Sequence, residues 1–189
     1  MAFPGLRVGP LLRYNRHMKT PFLAIGLALG AIVIPARAGM RELFLQQLTD
    51  VEKKVNSLAQ AVPAEKYSWR PAPGVRSISE VFTHIAGANY LFPSMAGVKP
   101  PEGVDRNMEK TVTEKSKVQA VLKQSFEHAR KAVQGLTDAD MAKEIKFFGR
   151  PSTVEALIFT MANHMHEHLG QSIAYARVNG VVPPWSAKE

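Results

Sequence analysis

The sequence predicts an all-α protein: a four-helix bundle over residues 39–189, preceded by a secretory signal peptide over residues 1–38. Two observations carry the bundle. Four segments of roughly 20 residues repeat apolar side chains at three- and four-residue steps, the period of an amphipathic helix. No segment reads as a convincing strand, and no internal repeat is visible. Helices of that length joined by connections of moderate length close most simply as a bundle.

The signal rests on charge and size. Arg7, Arg13, Arg16 and Lys19 form a basic lead-in without an acid, Phe22 to Ile34 is apolar and uncharged, and Ala36-Arg37-Ala38 supplies an A-x-A cleavage pattern. The apolar run is shorter than the roughly 20 residues needed to span a bilayer. An exported, periplasmic or secreted protein with no stable membrane insertion after cleavage is expected. The alternative is an uncleaved N-terminal anchor. His17-Met18-Lys19-Thr20 also begins a compact signal by itself, so Met18 is an alternative start.

This division changes the charge argument. Five of the 24 basic residues and none of the 16 acids precede residue 39, so the net charge falls from +8 for the chain to +3 for the remainder. A mild excess spread over such a length is no nucleic-acid footprint. The chain has no cysteine. That removes disulfides, a thiolate nucleophile and any thiolate metal site, leaving histidine and carboxylate as ligands.

The first helix is expected from about Met40 to Val62, with Leu43, Phe44, Leu48, Val51, Val55 and Leu58 on its apolar face and Pro63 after it. Tyr67 to Gly74 reads as a loop whose Tyr67 and Trp69 pack on the bundle. Ser77-Ile78-Ser79-Glu80 is a capping-box start for the second helix, which carries His84 mid-way and is interrupted at Pro93 and Gly97. After a Pro-, Gly- and charge-rich loop from Val98 to about Asn107, Thr111 or Thr113 can cap a third helix running to about Leu136. Thr137-Asp138-Ala139-Asp140 marks a break or a short turn, and Ile145 to Gly149 a short apolar lead-in. Ser152-Thr153-Val154-Glu155 caps the last helix, which runs unbroken to Asn179-Gly180, a C-cap pair.

The last helix holds the chemistry. Asn163 to Gln171 contains three of the six histidines within five residues. At about 100° per residue, His168 falls about 40° from His164, and Gln171 and Tyr175 join the same stripe. An i,i+4 pair is the spacing two imidazoles need to grip one ion. His166 falls about 200° away and belongs to a polar side. Glu167, about 60° off the pair, is either an acceptor for an imidazole N–H, and the nearest candidate base in sequence, or a surface acid. A third ligand would make the pair a site. His84, flanked by Val81, Phe82, Ile85 and Ala86, is either a hydrogen-bonded core histidine or that third ligand. Asn89 could also reach the site. His128 reads as lying on a solvated helix face.

From about Met40 to Pro184 the chain resembles the DinB / YfiT-like family of small four-helix-bundle metalloproteins. The resemblance rests on Trp69-Arg70-Pro71-Ala72-Pro73-Gly74, Ser79 to Ala86, His164 to Gln171, and Asn179 to Pro184. It implies that His84, His164 and His168 bind a divalent metal, and it favours zinc or nickel among the ions three imidazoles accept. It also implies homodimers and, from members of known activity, metal activation of a low-molecular-weight thiol in transferases and isomerases. The expected function is a metal-dependent hydrolase or transferase of a small-molecule substrate, with Glu167 and Gln171 as candidate catalytic residues. The alternatives are a non-catalytic metal-binding or stress-related bundle and an interaction module whose paired histidines are incidental.

Overall fold

The computed structural model describes residues 39–186. The expected signal peptide lies outside the described residues. Helix α1 spans Met40–Ala61 and buries Phe44, Leu48, Val51, Val55 and Leu58, alternating steps of four and three that make one continuous stripe. Leu43, expected on the same face, is 45% exposed.

The connector after α1 is part of the fold. Tyr67 is buried and its hydroxyl donates to the Ala59 carbonyl at 2.6 Å. The amides of Ile78 and Ser79, which lack helical acceptors, donate to the carbonyls of Trp69 and Tyr67. Helix α2, Ile78–Met95, starts with the expected capping box: the Ser77 amide donates to the Glu80 carboxylate at 2.7 Å, and the Glu80 amide to the Ser77 hydroxyl at 3.3 Å. Burial opposes the Glu80 charge, yet the Ser77 amide, Lys110 and Arg70 outweigh it and hold the carboxyl at about 2. Pro93 lies inside α2, which continues to Met95, so it does not end the helix there.

A one-turn helix, α3, Met108–Thr111, follows the loop; Thr111 belongs to it. Helix α4, Lys115–Gln134, has Glu114 at its N-cap with no side-chain capping bond, so neither Thr111 nor Thr113 caps it. The short turn near residue 138 is helix α5, Asp138–Met141, with a Thr137–Asp140 capping box.

The expectation of no strand is corrected here. Strands β1, Glu144–Phe147, and β2, Arg150–Thr153, pair antiparallel with Phe147 opposite Arg150. Their two-residue loop, Phe148-Gly149, has positive φ at both positions, 45° and 79°. Each strand is only four residues long, β2 contains Pro151, and a phenylalanine stands where Asn or Gly would signal the turn. Helix α6, Val154–Val178, is capped by Thr153, which accepts from the Ala156 amide at 3.2 Å. It ends as expected at Asn179-Gly180. The Gly180 amide reaches the Arg177 carbonyl and the Val181 amide the Ala176 carbonyl, with Gly180 at φ +77°.

Helices α1 and α2 each pack against both α4 and α6. The sequence neighbours α1 and α2 therefore occupy one diagonal of the bundle, and α4 and α6 the other. Leu58, Phe82, Ile85, Leu122, Phe126, Leu157, Met161 and Met165 fill the centre. The contact of α2 with α6 is what brings distant histidines together. No described helix is long and apolar enough to cross a membrane.

Candidate metal centre

Met161, Met165 and Leu169 point α6 into the core. His164 and His168, offset from that stripe, face α2 beside it. His84 on α2 meets them: one ring nitrogen from each of the three lies within 4.8 Å of the others. The Nε2 atoms of His84 and His164 stand 3.1 Å apart. Two imidazole nitrogens each about 2.0 Å from one tetrahedral ion would lie about 3.3 Å apart. His168 completes the group, with ring centroids 4.5 Å from His84 and 4.4 Å from His164.

Outer partners orient two of the rings. His84 Nδ1 donates to Glu109 Oε1 at 2.5 Å, and Arg76 Nε donates to the other carboxylate oxygen at 2.8 Å. His168 Nδ1 donates to Gln171 Oε1 at 2.8 Å, while the Gln171 amide donates to the Tyr175 hydroxyl at 3.0 Å. The Tyr175 ring in turn meets Trp69 edge-on at 5.4 Å. A carboxylate oxygen and an amide oxygen only accept, so both Nδ1 atoms carry the proton and both Nε2 lone pairs are bare. His164 Nδ1 is buried with no protein partner.

The electrostatics favour the neutral form of His164 and His84. Burial lowers His164 to about 4, with His168 and His84 adding to the effect. Phe92 contributes to that environment, 5.5 Å from the His164 ring, and Phe147 of the hairpin packs on Phe92. Burial also lowers His84, against the opposing pull of Glu109. Glu109 itself stays ionised: burial raises it, but Arg76 and His84 outweigh that. Three converging imidazoles, one of them backed by a carboxylate one hydrogen bond away, fit a divalent ion with three protein ligands and an open coordination position.

The other candidates divide. Gln171 belongs to the site, but both ends of its amide are engaged, so it positions His168 and has no free group for a reactant. Glu167 is exposed and bonds to none of the three imidazoles, because the helical twist carries it past them. His166 is exposed and pairs with Gln47 on α1 at 3.0 Å. Asn89 is buried and donates to Ser125 on α4, away from the group. His128 is not on a solvated face: it is half-buried, and its Nε2 is fully buried without a partner. Glu109 is the residue that sequence reasoning missed. A metal-ligating histidine requires an acceptor for its second nitrogen, but nothing local marks an acid 25 residues away on a separate turn of helix.

The fold and site together define a small helical bundle with three histidines converging at the edge of its core, an arrangement able to hold a metal ion. Residues 47–172 match the DinB superfamily, and the chain belongs to it. It is 27% identical over 128 residues to the uncharacterized protein YjoA of Bacillus subtilis, covering 66% of this chain and 81% of that one. A DinB-like protein of Bacillus cereus superposes with a TM-score of 0.67 at 26% identity, covering 75% of this chain and 93% of the other. YfiT of Bacillus subtilis superposes with a TM-score of 0.59 at 17% identity, covering 75% and 89%. That protein is described as a probable metal-dependent hydrolase with an unusual four-helix bundle topology, and at this identity the likeness is one of fold.

Proposed function

We propose that the chain is a metal-dependent hydrolase or transferase acting on a small molecule, with His84, His164 and His168 holding one zinc or nickel ion. The observation that carries this reading is the convergence of three imidazoles, with no fourth protein ligand beside them among the described residues. The description of YfiT as a probable metal-dependent hydrolase points the same way. An ion so held would supply Lewis acidity at an open position, polarising a carbonyl or lowering the pKa of a water or thiol.

The chain's own residues set the geometry. Glu109 and Gln171 keep His84 and His168 in the tautomer that ligates, and Arg76 keeps Glu109 charged. Phe92 and Phe147 exclude water from the His164 side. Glu167 lies away from the group and Glu109 is doubly engaged, so no described acid at the site is free as a general base. A nucleophile at this site would therefore need the bound ion, and not a side-chain base, to acidify it. Export through residues 1–38 would put this activity outside the cytoplasm; N-terminal sequencing of the mature protein tests that.

Cobalt(II) substitution tests the open position. Titration with azide or 2-mercaptoethanol should shift the visible d–d bands and saturate. A tetrahedral spectrum indifferent to both would favour a non-catalytic metal-binding bundle.

A further inference from the structure

Beside the three histidines stands a partly exposed cation with most of its hydrogen-bonding capacity unspent. Arg76 Nε donates to Glu109 Oε2 at 2.8 Å, and the other oxygen of that carboxylate takes the His84 Nδ1 proton at 2.5 Å. The guanidinium therefore stands two hydrogen bonds behind His84. Its side chain is 41% exposed, and neither Nη group has a protein acceptor among the described residues. An arginine fork commonly grips a carboxylate with two parallel bonds. Here Glu109 takes only one, and the Nη edge remains for another planar anion.

The surroundings are electropositive. Arg70 and Lys110 both pair with Glu80, while Arg76 pairs with Glu109, so three cations face two carboxylates before any ion joins the histidines. Burial chiefly lowers His84 and His164, and the Arg76 charge adds to it at both rings, so the guanidinium acts on α2 and α6 alike. The start of α2 offers no competing donors. The amides of Ser77, Ile78, Ser79 and Glu80 are spent on Glu80, Trp69, Tyr67 and Ser77. An anion brought to this edge would meet the Nη groups, with both carboxylates already compensated.

We propose that Arg76 anchors a carboxylate of the substrate, whose reacting end lies at the ion held by His84, His164 and His168. This rests on the open metal site proposed above and narrows its substrates to small anions.

The test compares 6-mercaptohexanoate with 6-mercaptohexanol on the full chain loaded with cobalt(II). The two thiols share one sulfur ligand and differ only at the far end of a tail too long to close a stable chelate ring. Thiolate-to-cobalt absorption reads the affinity of each. The hexanoate should bind about fivefold tighter, and added salt should reduce that preference. Arg76→Gln should bring the two affinities together. Arg76→Lys, which keeps the charge without the fork, should keep part of the preference. Cobalt is supplied in excess, its d–d band reports loading, and each comparison is made within one variant, so weaker metal binding through Glu109 cancels. Equal affinities in the native chain, a preference that salt leaves unchanged, or an undiminished preference in Arg76→Gln would each overturn the anchor and leave the metal site standing. No thiolate absorption with either thiol would overturn the open site and the anchor with it.

Discussion

Glu109 accepts the Nδ1 proton of His84 at 2.5 Å although the two residues sit on different helices, 25 positions apart. That bond fixes the His84 ring so that Nε2 faces His164, and it makes α3 part of the site. Ligand affinity in such centres depends on the acceptor behind the imidazole as well as on the imidazole.

Replacement of Glu109 should therefore weaken metal binding without removing a ligand. Glu109→Gln keeps an acceptor oxygen but loses the charge, and Glu109→Ala loses both. Affinity should fall by roughly 10–100-fold in the alanine variant and by less in the glutamine variant. Competition with a chromophoric chelator measures both. Wild-type affinity in Glu109→Ala would mean that α3 is only packing material.

The metal-free protein should lose stability as pH falls from the ordinary imidazole value of 6.5 toward about 4. The sign follows from linkage. His164 binds its proton less readily when folded than when unfolded, so acid in this window favours the unfolded chain, and the stabilisation is complete only above 6.5. Glu80, held at about 2 against an ordinary 4.5, acts in a separate, lower window. Urea midpoints measured across pH should show the upper step in the native chain and a smaller step in His164→Phe. An identical upper step in that variant would assign it to other groups.

Phe148 is 75% exposed with φ +45°. A left-handed backbone costs a bulky residue about 1–2 kcal/mol, and asparagine tolerates it better. Phe148→Asn should stabilise the chain by about 1 kcal/mol, read from the urea midpoint. A lower midpoint would show that the contact of its ring with Phe147 outweighs the turn strain.

The legible and the illegible parts of this fold differ in range. The four long helices, the Ser77–Glu80 box and the Asn179-Gly180 ending were readable because each depends on residues within a few positions of one another. His164 and His168 were readable for the same reason, as one helical turn. His84 could be proposed because a bundle must pack some helix against α6 and because the family resemblance implies it. Glu109 could not, since its pairing depends on where α3 lands after a loop. The hairpin was hidden by Phe148, which contradicts the turn it occupies. The buried nitrogen of His128 was hidden by its charged neighbours Glu127 and Arg130, which suggested a wet surface.

The central claim is that His84, His164 and His168 hold one metal ion. Its most direct test is elemental analysis by mass spectrometry of protein purified without an added histidine tag. His84→Ala, His168→Ala and His166→Ala are measured beside it. About one divalent ion per chain is expected in the native protein and in His166→Ala, and essentially none in the other two. A native protein that stays empty after reconstitution with zinc or nickel, or equal loss in His166→Ala, would contradict it.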